Sequence, residues 1–197
     1  MWQYVNLFGS WNHGFFQAPG AWVDAAHRNG SDIFSGIAFF ESWTGDGDAT
    51  YSAMITQKDA DGNFIYVKPL IHCLMYFGAD GINYNWEDNS YTNADIVNFH
   101  KQLWKYAAEV GYDNYHSGIY TSQSSFGEHN ADALFGTTAT GKTHDTMLNY
   151  ANGDFSWQIA STVTAAEKVM GTADGVYAGV WIVGMDRRWT TLDQDAQ

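Results

Sequence analysis

The feature that most limits what this chain can fold into is an alternation. Short runs rich in Val, Ile, Phe and Tyr are separated by amphipathic stretches with their own start and stop signals. Strands are expected at Tyr4–Phe8, Ile33–Phe40, Gly81–Glu87, His116–Thr121, Thr146–Ala151 and Val176–Val183. Between them, one helix opens at Pro19 and stops at Gly30, and a second covers Val67–Phe77 and stops at Gly78. A third begins at Thr92-Asn93-Ala94-Asp95, which reads as a capping box, and runs to Gly111. A fourth covers Ser156–Met170, with Gly171 as its C′ residue. Strands alternating with helices imply parallel βα units.

Such units build either a doubly wound sheet or a barrel. No Gly-x-Gly-x-x-Gly loop follows a strand, which removes support for a dinucleotide-binding sheet. Polar and aromatic residues instead gather where the strands end: Trp11, Glu41 with Trp43, Glu87, Tyr120, and Asn149 with Tyr150. Barrel enzymes place their sites at that face. The expected fold is therefore α/β, a (β/α)8 TIM barrel forming one domain over residues 1–197. With about six strands in 197 residues it is incomplete, lacking an early strand and a late one, since a full barrel has eight strands and ~250 residues.

Charge narrows the partners. Nine Lys and Arg stand against 22 Asp and Glu, a net charge of −13. Nucleic acid is excluded, because phosphate neutralisation needs a basic face. A polybasic membrane patch is excluded on the same ground, and no apolar run approaches the ~20 residues of a membrane span. Aromatics at 17%, nine of them Trp, argue against disorder and provide flat faces that can stack on sugars. The single cysteine, Cys73, sits in the apolar run Leu70–Met75 and is expected to be a buried, inert thiol. The N-terminus has no basic segment followed by an apolar one. The expectation is either a cytoplasmic chain or one cut from a longer secreted or cell-surface parent.

The segment Asp80-Gly81-Ile82-Asn83-Tyr84-Asn85-Trp86-Glu87 carries the chemistry. On a strand, Asn83, Asn85 and Glu87 share one face, and Ile82, Tyr84 and Trp86 the other. In a barrel the apolar set meets the helices, and the polar set climbs the interior toward the mouth. Glycoside cleavage needs an acid to protonate the leaving oxygen. In substrate-assisted cleavage the substrate's own 2-acetamido oxygen attacks the anomeric carbon. The protein then has only to hold the acetamido group, which an Asn or Asp can do. A polar strand end capped by a surface carboxylate fits the same residues equally well.

This strand resembles the Asp-x-x-Asp-x-Asp-x-Glu strand of the chitinase-type glycoside hydrolase family 18, with two Asp replaced by Asn. It is more similar still to the endo-β-N-acetylglucosaminidases of glycoside hydrolase family 85. Their Phe-Asp-Gly-x-x-Ile-Asn-x-Glu is matched at Asp80, Gly81, Asn85 and Glu87. Flanking segments carry the resemblance onward: Trp2–Asn6, Pro19–Trp22 into Asp24–Gly30, Lys58–Phe64, Tyr76–Gly78 and, more loosely, Gly118–Ser122 and Val176–Val180. The resemblance implies a retaining, substrate-assisted enzyme that cuts between the two N-acetylglucosamines of the N-glycan core. Glu87 would be the acid/base and Asn85 the acetamido-orienting group, with Tyr120 lining the same subsite. Trp86 departs from the family, which has an aliphatic residue there. Trp11, Glu41, Trp43, Asn149 and Tyr150 are candidates to shape the cleft. The expected partner is an N-glycan or another N-acetylglucosamine-containing oligosaccharide. The alternatives are a sugar-binding barrel without turnover and a family 18-like hydrolase.

No cofactor and no metal is expected, since the seven histidines show no zinc-ligand spacing. Asp59-x-Asp61-Gly62 puts Gln57 and Lys68 where a calcium loop needs Asp and Glu, and reads instead as a turn leading into a helix. Gly136–Thr143 matches the spacing of a phosphate loop but leads into a strand rather than a helix, so it reads as a chance match.

Overall fold

The computed structural model describes residues 2–9, 18–37, 53–87, 89–149 and 155–179. In chain order the elements are β1 (Leu7–Gly9), α1 (Gly20–Arg28), β2 (Asp32–Ile37), α2 (Val67–Phe77), β3 (Gly81–Asn85) and α3 (Ala94–Glu109). They continue as β4 (His116–Tyr120), α4 (Ala131–Leu134), β5 (Gly136–Thr137), β6 (Gly141–Lys142), β7 (Asp145–Asn149), α5 (Phe155–Met170) and β8 (Val176–Gly179). Six strands form one sheet in the order β1-β2-β3-β4-β7-β8, every pair parallel.

That order decides between the two candidate architectures. A doubly wound sheet reverses its strand order at a switch point. Here each strand simply adds beside the last. Crossovers of one hand then put all the helices on one face, and the sheet curls into part of a barrel. Side-chain burial agrees. Ile82, Tyr84, Trp86, Ile119 and Leu148 lie in one buried apolar cluster with Leu74, Phe99 and Leu103 of the helices. Asn83, Gly118 and Asp145, which alternate with them, occupy the concave face. The partition of the β3 side chains thus follows the period of two. Trp86, the departure from the family pattern, faces the helices.

The helix signals hold with one correction. Pro19 precedes α1, whose Val23 and Ala26 are buried, while Trp22 packs edge-on to Phe8 with centroids 5.7 Å apart. Gly78 ends α2 in the left-handed conformation. The cap of α3, however, is Asn93, whose Oδ1 accepts from the Asp95 amide at 2.9 Å. Thr92 instead donates to the Asn89 carbonyl and closes a 3-10 turn, Asn89–Thr92. An Asn one residue nearer the helix is the better-placed acceptor for its free N–H groups.

The strand limits shift more. Trp2–Tyr4 is a 3-10 turn, so β1 starts at Leu7 rather than Tyr4. β3 and β4 stop at Asn85 and Tyr120, although Trp86 still donates its backbone N–H to the Tyr120 carbonyl at 2.7 Å. β7 starts one residue early, at Asp145. The expected continuations of β2 into 38–40, of β7 into 150–151 and of β8 into 180–183 lie outside the described residues.

Gly136–Thr143 is a small antiparallel hairpin of β5 and β6, with no helix following it. The Asp59 carboxylate accepts from the amides of Asp61 and Asn63, closing the turn before α2. Cys73 is half-buried rather than buried. No helix among the described residues is long and apolar enough to cross a membrane.

Candidate active site

The site is built on β3, and its geometry starts at the lower end of that strand. Asp80 is buried, and its carboxylate accepts from the Ile33 amide at 2.7 Å, from His27 Nε2 at 2.8 Å and from Asn114 Nδ2. Its own backbone bonds Ile33 on one side and His116 on the other. One carboxylate thus ties β2, α1 and the approach to β4 to the foot of β3. Hydrogen bonds to a charged group contribute about 1.5–3 kcal/mol each. Gly81 follows at φ +137°, and a Cβ there would stand 1.9 Å from the His116 carbonyl oxygen. Only glycine fits so close an approach.

The concave floor beside this point is charged. His116 lies 3.2 Å from both Asp145 Oδ2 and Asp32 Oδ2. The hydrogen bond to Asp145 raises the His116 pKa; burial opposes it, and the bond to Asp32 adds to the rise. Lys142 pairs with Asp145 Oδ1 at 3.0 Å and sits over the Phe135 ring. Burial pushes its pKa down, against the pull of Asp145.

The upper end is different. Asn85 is 2% exposed, and its side-chain oxygen has no hydrogen-bond partner among the described residues. A buried acceptor left without a donor costs about 1–3 kcal/mol, so such atoms mark strain or a ligand. Two residues on, Glu87 stands past the end of the strand and is exposed. The acceptor is therefore sunk in the wall of the concave face, with a carboxyl at the rim above it.

Register adds neighbours. Asn85 pairs with Tyr120, Tyr120 with Met147, and Met147 with Tyr177, so these four form one row across β3, β4, β7 and β8. Asn149 lies two residues above Met147 on the same face and is buried, its backbone N–H donating to the Gln123 carbonyl at 2.9 Å. The structure thus brings Asn85, Glu87, Tyr120 and Asn149 to one end of the sheet. Tyr177 and Met147 join that face although sequence reasoning did not single them out. The period of two from Val176, which packs on the core, would have found Tyr177. Trp11, Glu41, Trp43 and Tyr150 lie outside the described residues.

Behind β3 stands a second feature that sequence reasoning missed. His100 and His144 are buried with ring centroids 4.5 Å apart, and Tyr84 packs edge-on to both. His100 Nδ1 bonds the Ile96 carbonyl at 2.7 Å, and His144 Nδ1 lies 2.9 Å from Ser117 Oγ. Burial lowers the His100 pKa to about 4. It drives that of His144 well down too, helped by His100 and Lys142. Among the described residues, no group of three His, Cys, Asp or Glu is placed to hold a metal ion.

The chain is similar to known proteins in family and fold. The model of the family described as Glycosyl hydrolase family 85 matches residues 1–194. The fold is similar to the glycoside hydrolase domain of Endo-D from Streptococcus pneumoniae R6, with a TM-score of 0.65 at 22% identity. That match covers 85% of this chain and 28% of the other. It is also similar to a chitinase from Chromobacterium violaceum ATCC 12472, with a TM-score of 0.58 at 14% identity over 89% of this chain and 60% of that one. The chain thus spans about a quarter of the length of the Endo-D domain. No curated protein sequence matches it.

Proposed function

Because the chain belongs to glycosyl hydrolase family 85, we propose that it acts as an endo-β-N-acetylglucosaminidase on the N-acetylglucosamine-β-1,4-N-acetylglucosamine core of N-glycans. The observation that carries this reading is the buried side-chain oxygen of Asn85, unpartnered among the described residues, two residues before an exposed carboxyl. A 2-acetamido group offers the missing donor in its N–H. Accepting that hydrogen bond orients the amide and raises electron density on its carbonyl oxygen.

The steps follow. The acetamido oxygen attacks the anomeric carbon while the glycosidic bond breaks, and protonated Glu87 gives its proton to the departing oxygen. The positive charge spreads over an oxazolinium ring whose N–H stays on Asn85. Water then adds to the anomeric carbon as Glu87 takes its proton, and the ring opens to restore the acetamide. Two inversions at one carbon leave the configuration unchanged. Tyr120, opposite Asn85 in register, lines the acetamido subsite, and Asn149 borders it from β7. Trp11, Glu41, Trp43 and Tyr150 complete the cleft in this proposal. No cofactor takes part in any step.

The test is release of glycan from a denatured N-glycoprotein by the chain and by Glu87→Gln. Release by the chain, and its loss in the variant with the melting temperature unchanged, is the expected result. Undiminished release by the variant excludes Glu87 as the acid/base. A second reading, sugar binding without turnover, draws on the six strands of the described sheet where a closed barrel has eight. Calorimetric binding of a chitobiose-core glycan with no product formed favours that reading.

A further inference from the structure

We propose that Trp86 is the positioning residue for Glu87, acting through a clamp between its indole and Ser90; the inference rests on Glu87 being the acid/base. Glu87 stands beyond the last residue of β3, where ladder hydrogen bonds no longer fix the chain from both sides. Trp86 replaces that support. Its backbone N–H bonds the Tyr120 carbonyl at 2.7 Å and carries the β3–β4 ladder one residue further. Its indole is fully buried on the helix side, with ring centroids 5.7 Å from Tyr84 and 5.8 Å from His100. Indole Nε1 donates to Ser90 Oγ at 2.8 Å.

Ser90 belongs to the 3-10 turn Asn89–Thr92, which leads directly into the Asn93 cap of α3. The indole bond therefore ties the tip of β3 to the start of the next helix. Glu87 lies inside the short loop that this bond closes. With Trp86 drawn into the helix layer, the alternation of a strand turns Asn85 and Glu87 together toward the concave face. An aliphatic side chain, as the family resemblance leads one to expect here, fills the same layer but offers no N–H to hold the turn. A displacement of ~1 Å at a reacting group can cost about 100-fold in rate, so a tether one residue away is placed to matter.

The experiment is a double-mutant cycle on the chain, read by steady-state glycan release and by hydrogen exchange of the amides at 87–90. Ser90→Ala removes the acceptor and leaves the indole, while Trp86→Phe removes the donor and keeps an aromatic ring. Each is expected to lower kcat about 10-fold with KM within twofold, and the double variant to fall no further than Trp86→Phe. Ser90→Thr, which keeps the hydroxyl, is expected to restore kcat. Exchange at 87–90 should rise in Ser90→Ala and return in Ser90→Thr, a readout that needs no turnover. Unchanged kcat and unchanged exchange in Ser90→Ala overturn the clamp, as does a loss carried by KM alone. Should Trp86→Phe fail to fold, the Ser90 pair decides. Glycan release that persists in Glu87→Gln removes the underlying assignment, whereas the exchange data still judge the clamp.

Discussion

The two ends of β3 are built on opposite principles. At the foot, two ionisable groups are heavily partnered: Asp80 takes three donors, and His116 lies between two carboxylates. At the tip, Asn85 keeps a buried oxygen without a donor, and Glu87 stands in solvent. Side chains a few residues apart on one strand thus serve two purposes. The foot uses its hydrogen bonds to fix the fold, and in the proposed mechanism the tip keeps its own for the glycan. Barrel enzymes divide labour in this way, with stability at the N-terminal face and chemistry at the C-terminal face.

The comparison breaks first at Gly81. Gly81→Ala should cost more than about 4 kcal/mol or prevent folding, because the new Cβ meets a backbone oxygen at 1.9 Å and the residue is held at φ +137°. Urea denaturation monitored by circular dichroism measures this, and a loss below ~1 kcal/mol would show that the foot yields easily. Next comes Glu87→Gln at the tip, which should lower glycan release about 10³-fold while leaving the urea midpoint in place. Asn85→Ala should lower kcat about 100-fold with stability within ~1 kcal/mol, since its side-chain oxygen makes no bond among the described residues. If that variant melts early, Asn85 belongs with the foot and the division fails.

The smallest effect is a response to pH, with opposite signs in two regions. His100 and His144, behind the tip, have folded pKa values below the unfolded 6.5. Between pH 6.5 and about 4 the unfolded chain therefore binds protons that the folded chain does not. Stability is lost as pH falls through that window. His116, at the floor, has a folded pKa above 6.5, so its contribution is complete below 6.5 and fades as pH rises through the folded value. Denaturation from pH 4.5 to 8.5 should show both slopes. His116→Asn should flatten only the alkaline one.

Much of this was legible in the residues. The alternation of apolar runs with capped helices defined parallel βα units. The period of two in Asp80–Glu87 separated a helix-facing set from a polar set, and the structure keeps that separation from Ile82 to Trp86. Element ends were less legible. Asn93 competes with Thr92 for the same free amides, and whether Trp2–Tyr4 extends or turns is a local choice that patterning does not govern.

What the sequence by itself determined is the repeating unit and the face each β3 side chain takes, because both follow from backbone geometry that every residue carries locally. Tertiary structure alone decided that Asp80 bolts three elements together, that His100 meets His144, that Tyr177 joins the row of Asn85 and that the Asn85 oxygen finds no donor. The first three join groups 34 to 92 residues apart in sequence. Only the sheet's register and the packing of the helices against it bring such groups within reach.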